Sequence, residues 1–325
     1  MTSRRFTTSR LSADMQTTLA RTATVVGVGA HSGRPARVTL SPGDADTGVV
    51  FLRSGRPERP VAAHRRPERP VAAQWRNVTS TDLCVRIGEG PAAVATIEHL
   101  TAALRGLGVD NALIEIDGPE VPAMDGSAAS FVAAIDEAGV VALPAPRRRL
   151  VMRAPVRLSD GAAWAELAPA AEDGLRLDVE IAFENARIGR MRRALTLTPA
   201  SFRREIARAR TFGFLADAER LWRAGLALGA SLDNTIVIGD DRVLNPEGLR
   251  FADEYVRHKM LDVVGDLALA GAPIVGAFRS YRGGHRLNLA LVEAVLSTPS
   301  AFTLIDGKEA ERRRDRVVAE RPDAR

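Results

Sequence analysis

Cysteine is almost missing from this 325-residue chain. The lone Cys84 excludes a disulfide framework and a cysteine-rich zinc finger. Aromatic residues make up only 5%, so small aliphatic side chains must fill the core. Long hydrophobic runs are missing too. The longest apolar stretch, around Met260–Phe278, is broken by Asp262 and Asp266, which excludes a transmembrane helix there. Lysine is nearly absent: all but Lys259 and Lys308 of the 45 basic residues are arginine, and 40 acidic residues leave a net charge of +5. That bias reads as genome composition, not as a nucleic-acid footprint. No aromatics interleave with the arginines as stacking platforms, and no helix-turn-helix or RNA-binding signature occurs, so no nucleic-acid partner is expected. The excess positive charge suits a phosphorylated substrate or a weak association with an anionic membrane face. What remains, 46% hydrophobic and 26% charged residues, is the composition of a soluble globular protein.

The length favours two domains. Residues 1–14 are polar, lack an apolar core and read as a disordered tail, not a signal peptide. Alternation marks strands at Thr22–Val28, Ala36–Leu40 and Gly48–Leu52. The octapeptide RPERPVAA then occurs twice, at Arg56–Ala63 and Arg66–Ala73, and its prolines predict a surface-loop insertion over residues 54–76 in which His64 has no role. Helical spacing over Ala95–Leu107 ends at a glycine stop; a strand over Asn111–Ile116 and a helix over Ala128–Ala138 follow. Pro144, Pro146 and three consecutive arginines make 142–149 the expected linker between a first domain at 15–141 and a second at 150–297. The second half restates the first, with strands near Leu150–Leu158, Ala163–Leu167 and Arg176–Ile181, a strong helix over Asp253–Leu269 and a strand over Ile274–Tyr281. In both halves a helix ends at glycine and feeds a hydrophobic strand, which predicts two similar α+β domains, each a sheet with helices on one face. Residues 298–325 read as a charged tail.

Among five histidines, His258 stands out because Asp262 follows at i+4 on the best helix, so both side chains project from one face. Two ligands on one rigid element suit a metal, although the same spacing equally serves an ion pair that supports the helix by a few tenths of a kcal/mol. Glu98 and His99 are adjacent and point about 100° apart on a helix, so one can bind a metal while the other reaches a water beside it. His285 lies in a Gly-Gly-His turn, a flexible setting suited to a general acid, and Asp266 extends the His258/Asp262 face by a turn.

Several long segments then carry a resemblance. Thr96–Phe131 (TIEHLTAALRGLGVDNALIEIDGPEVPAMDGSAASF) and Phe251–Asn288 (FADEYVRHKMLDVVGDLALAGAPIVGAFRSYRGGHRLN) resemble the zinc-dependent UDP-3-O-acyl-N-acetylglucosamine deacetylases. Ala209–Phe214 (ARTFGF) and Val26–Gly33 (VGVGAHSG) are similar to other stretches of that family, and the likeness runs in order from about Met15 to Val295.

The resemblance implies two β-α-α-β domains with their helices packed between the sheets, and a cytoplasmic enzyme of lipid A biosynthesis in Gram-negative bacteria. Its substrate would be a UDP-linked acylated amino sugar, from which it removes the N-acetyl group. His99, His258 and Asp262 would hold zinc, or ferrous iron, since imidazole and carboxylate accept both. Glu98 would be the general base, His285 the general acid oriented by Asp266, and Thr211 a donor to the oxyanion. Lys259 would contact the substrate beside the diphosphate. Phe183 would line the nucleotide site, Phe212 would face the substrate, and His31 would lie near the metal without being an essential ligand. Leu215, Ala218, Ala227 and Ser231 would build an apolar passage for the acyl chain. Three departures stand against the family pattern: Ala163 where a lysine is expected, Ala182 where an aspartate is common, and the proline-rich repeat. The first two predict weaker substrate binding, and they leave open a deacetylase of another acylated nucleotide sugar; a non-catalytic binding module is the remaining alternative. No interface signal stands out, so a monomer is expected.

Overall fold

The computed structural model describes residues 14–54 and 69–306. The first half runs β1 (Met15–Leu19), β2 (Ala23–Val28), β3 (Pro35–Pro42), β4 (Val49–Arg53), β5 (Val71–Ala72), β6 (Val78–Ser80), β7 (Arg86–Ile87), α1 (Glu98–Gly106), β8 (Ala112–Ile116) and α2 (Ala129–Ala138). The second runs β9 (Val140–Pro146), β10 (Arg149–Met152), β11 (Val156–Asp160), β12 (Ala163–Ala168), β13 (Leu175–Ala182), β14 (Arg190–Thr196), α3 (Pro199–Ser201), β15 (Phe212–Phe214), α4 (Leu215–Arg223), β16 (Ile236–Ile238), α5 (Glu254–Ala268), β17 (Ile274–Tyr281), α6 (His285–Leu296) and β18 (Phe302–Ile305).

The fold is α+β, and its two largest sheets repeat one plan. In the first, β2, β3, β8, β4 and β5 lie side by side, with β8–β4 the parallel pair and the others antiparallel. In the second, β11, β12, β17, β13 and β14 repeat that order and those directions, with β17–β13 parallel. The antiparallel ribbon β1–β9 has its counterpart in β10–β18. Alternation explains the pairing: β13 buries Leu175, Leu177, Val179 and Ile181 on one face, as a half-covered strand must. Between the sheets α1 packs on α5, α2 on β2, and α6 on β11 and β12. The α1–α5 crossing is close because Gly265 has no side chain; a Cβ there would lie 2.1 Å from the Glu98 carbonyl oxygen.

Several expectations need correction. Residues 142–149 are not a free linker: Val140–Pro146 is strand β9, which among the described residues pairs with β1 alone. A two-stranded ribbon leaves one edge of each strand open, so prolines are tolerated there. The insertion expected over 54–76 ends early: past Pro70 the backbone N–H groups are available again, Val71–Ala72 pairs with β4, and Trp75–Asn77 forms a 3₁₀ turn. Most of the repeat, with His64, lies outside the described residues. The expected tail contributes β18, which pairs with Arg149–Met152; residues 307–325 lie outside the described residues, as do 1–13. The strand expected over Leu150–Leu158 is two, β10 and β11, separated at Arg153–Pro155. The helix expected from Ala95 begins at Glu98, because Thr96 sits at a φ of +57°. His285 is not in a flexible turn but opens the twelve-residue helix α6.

Candidate metal centre and active site

The chemistry-bearing side chains gather at the α1–α5 seam. His99, second residue of α1, meets His258 and Asp262 of α5, and one ligand atom from each lies within 4.8 Å of the others. All three residues are buried. His99 Nε2 and His258 Nε2 lie 3.7 and 3.5 Å from the same oxygen, Asp262 Oδ1. The other Asp262 oxygen accepts a 2.7 Å hydrogen bond from Lys259 Nζ. His258 Nδ1 is 3.1 Å from the Ala209 carbonyl, so this nitrogen carries the proton and Nε2 is left as an electron-pair donor.

Electrostatics suit a cation. Burial lowers the His258 pKa to about 4, against the attraction of Asp262, so the imidazole is neutral. Burial works against the Asp262 charge, yet the Lys259 ammonium holds that carboxyl well below the usual range. Lys259 itself is pulled down by burial but kept above its ordinary value by Asp262. Two imidazoles and one carboxylate form a three-ligand set of the kind found in catalytic zinc sites.

Two further groups flank these ligands. Glu98, first residue of α1, accepts the Val85 N–H at 3.1 Å, and its other oxygen lies 3.8 Å from His285 Nε2. Burial raises the Glu98 pKa, opposed by His285 and His99. His285 Nδ1 lies 2.9 and 3.0 Å from the two Asp266 oxygens. Burial alone would lower the His285 pKa, but the Asp266 carboxylate raises it to about 9. Asn288, one turn along α6, donates to Asp266 at 2.8 Å. The result is a protonated imidazole beside a carboxylate, suited to moving protons in opposite directions.

These groups open into a cavity of about 430 Å3. Thr211, Phe183, Phe212, Lys259 and His31 line it. Phe183 meets Phe212 edge-on at 5.8 Å and Phe214 at 6.1 Å, forming an aromatic wall. Of the residues expected to build an acyl passage, one reaches this cavity. Ala227 lines the cavity, but Leu215, Ala218 and Ser231 do not. Leu215 opens α4 half-exposed, and the helix edge facing the cavity is Asp217, Arg220 and Leu221, the i, i+3, i+4 set. Ser231 lies in an exposed turn, where its hydroxyl accepts the Asp233 N–H. Neither Ala163 nor Ala182 lines the cavity.

Sequence reasoning missed the Val85 N–H and the Ala209 carbonyl, which are backbone groups without a side-chain signature. It also missed Asn288, which shares a helix face with His285 and was legible once α6 was recognised. The fourth omission is Arg210, fully buried, whose guanidinium bonds Glu254 at 3.0 Å as well as Glu247 and the Gly248 carbonyl. It anchors the segment carrying Ala209 and Thr211 to the start of α5.

Comparison with known proteins identifies the family. The family model LpxC, described as UDP-3-O-acyl N-acetylglycosamine deacetylase, matches residues 16–297. Proteins named UDP-3-O-acyl-N-acetylglucosamine deacetylase from Brucella ovis and Brucella canis are 50% identical over 293 residues, covering 90% of this chain and 98% of each relative. The protein of that name from Brucella melitensis biotype 2 matches to the same extent.

Proposed function

The chain belongs to the family of UDP-3-O-acyl-N-acetylglucosamine deacetylases, and from that premise we propose a proton-transfer mechanism in which Glu98 is the base and His285 the acid. The protein is an amide hydrolase. It removes the N-acetyl group of UDP-3-O-(3-hydroxyacyl)-N-acetylglucosamine, giving acetate and the free amine, the committed step of lipid A biosynthesis. The observation that carries the mechanism is the convergence of His99, His258 and Asp262 beside the Glu98–His285 pair.

His99, His258 and Asp262 would hold the metal, with zinc favoured by the donor set and ferrous iron the alternative. When bound, such a cation polarises the acetamide carbonyl and makes a neighbouring water more acidic. Glu98, oriented by the Val85 N–H, takes the proton of the attacking water. The Thr211 hydroxyl donates to the carbonyl oxygen as it becomes an oxyanion, a contribution typically about 3–4 kcal/mol. His285, kept protonated by Asp266, delivers its proton to the departing glucosamine nitrogen. The Phe183–Phe212 wall packs against the substrate, and Lys259 combines support of Asp262 with a positive charge toward the diphosphate.

The enzyme works as a cytoplasmic monomer. Among the described residues no helix is long and apolar enough to cross a membrane. Exposed Trp222 and Leu228, near the cavity rim, support a weak association with the inner-membrane surface. Neither Ala163 nor Ala182 lines the cavity, although Ala182 directly precedes the lining residue Phe183.

The test is acetate release from UDP-3-O-(3-hydroxyacyl)-N-acetylglucosamine by metal-quantified protein, with and without a chelator. Turnover abolished by chelation and restored by zinc is expected. Turnover that persists in metal-free protein would overturn the metal assignment.

A further inference from the structure

A second cavity, of about 410 Å3, lies at the C-terminal ends of α1 and α5, away from the residues that form the active site. Both halves and the ribbon between them contribute to its wall, through residues such as Trp75, Arg105, Arg147, Leu269 and Phe302. Its charge is unbalanced: Arg76, Arg105, Arg147 and Arg148 line it with only Asp46 and Asp110 as carboxylates. Those two acids are already engaged. Asp46 accepts Arg148 at 2.8 Å and Gln16 at 3.0 Å. Asp110 accepts Arg147 Nε at 2.7 Å and the Thr17 N–H at 2.9 Å.

Arg105 and Arg76 are left as the surplus. The Arg105 side chain is only 15% exposed; its one carboxylate partner among the described residues is Asp110 at 3.7 Å, beyond hydrogen-bond distance, and the Arg147 charge repels it. Its Nε and Nη1 are sealed from solvent and have no hydrogen-bond partner among the described residues. A buried charged donor without a partner is costly, and such groups in native proteins call for an explanation. Arg76 stacks over the Trp75 ring at 5.2 Å, and no carboxylate of the described residues pairs with it. The cleft therefore presents fixed guanidinium groups against an apolar floor that includes Leu150, Leu269 and Phe302. Guanidinium groups match phosphate and carboxylate oxygens through paired N–H donors.

We propose that this cleft is a second ligand site, for a small organic anion carrying two or more phosphate or carboxylate groups, with Arg105 and Arg76 as its principal contacts. The site has a direct line to the chemistry. Arg105 lies on α1, two turns beyond Glu98 and His99, and Leu269 caps α5, the helix of His258 and Asp262. An anion held by Arg105 and Arg76 lies where the end of α1 meets the end of α5, the two helices whose contact brings the metal-binding side chains together.

The experiment uses the full-length, zinc-loaded protein with saturating UDP, so that the active-site diphosphate position is filled. Fructose 1,6-bisphosphate and tricarballylate are titrated separately by calorimetry and by thermal denaturation, at constant ionic strength. The expected result is one binding event per chain for at least one anion, with a rise in melting temperature. The responding probe tells whether phosphate or carboxylate is the preferred group. Affinity should fall at least about tenfold in Arg105→Met, the scale expected for losing a charge-assisted hydrogen bond. The exposed Arg76→Ala should weaken binding in the same direction with basal deacetylation unchanged, which keeps the test decisive if Arg105→Met does not fold. No saturable binding of either anion would overturn the proposal. So would binding that Arg76→Ala and every folded Arg105 variant leave unchanged.

Discussion

Adding one methyl group at Gly265 should damage catalysis far more than stability. The Cβ of Gly265→Ala would fall 2.1, 2.8 and 3.0 Å from the oxygen, carbon and Cα of Glu98. An ordinary carbon–oxygen contact is about 3.3 Å, so α1 and α5 must separate by about 1 Å. Nothing flexible can give way, because the obstacle is helix backbone on one side and the substituted helix on the other. Overpacking of this kind costs about 1–3 kcal/mol. Replacing a mid-helix glycine by alanine returns about 0.5–1 kcal/mol. The net loss of stability is therefore about 0–2.5 kcal/mol, a shift in Tm of a few degrees for a chain of this size. The catalytic loss is larger, because the displaced backbone belongs to the proposed base. Moving Glu98 about 1 Å from the His258/Asp262 face can cost about 100-fold in rate. Melting curves, zinc content and kcat/KM measured on one preparation separate the effects. A modest fall in melting temperature is expected, with a loss of kcat/KM larger than any loss of zinc occupancy, since His99 rides on the same helix as Glu98. A kcat/KM within about twofold of the parent would refute the claim that this helix contact sets the catalytic geometry.

Glu98→Ala should fold and retain zinc but lose about 10²–10⁴-fold in kcat, as loss of a general base requires; retention of most activity would refute the assignment. The pH profile should fall on the alkaline side near pH 9, because His285 must carry its proton and is deprotonated as pH rises through a pKa of about 9. Asp266→Asn removes the carboxylate that raises this pKa, so the limb should move to lower pH; an unmoved limb would exclude His285 as its origin. Arg210→Met should weaken zinc binding about 10–100-fold, since the buried Arg210–Glu254 pair fixes the segment whose Ala209 carbonyl orients His258. Competition with a chromogenic chelator measures this without an activity assay, and unchanged affinity would limit Arg210 to a structural role.

What could be read from the sequence divides along a physical line. The helix carrying His258 and Asp262 was legible because its apolar period and i,i+4 pair are local, and strand Ile274–Tyr281 was legible because the apolar stretch Ile274–Phe278 follows directly on Pro273. Features that depend on distant backbone were not. Prolines at 144 and 146 read locally as a linker, and only β1 lying alongside makes Val140–Pro146 a strand. Gly283 and Gly284 read as flexibility, whereas Gly284 precedes the first turn of α6, which fixes His285 against Asp266. The bond from the Val85 N–H to Glu98 joins residues thirteen apart through a group every residue except proline possesses, so no pattern of side chains could announce it.

Duplication explains why the site had to be assembled at a seam. Strands β2, β3, β8, β4 and β5 and their counterparts β11, β12, β17, β13 and β14 build the same scaffold twice, yet the chemistry is unequally divided. The first half contributes Glu98 and His99 from the start of α1, whereas the second contributes His258, Asp262 and Asp266 from successive turns of α5 and His285 from α6. Neither half alone holds the three proposed metal donors, and neither holds the proposed base together with the proposed acid. A glycine at the α1–α5 crossing and the buried Arg210–Glu254 pair are therefore as necessary to the chemistry as the ligands, because they set the distance and orientation at which two incomplete halves meet.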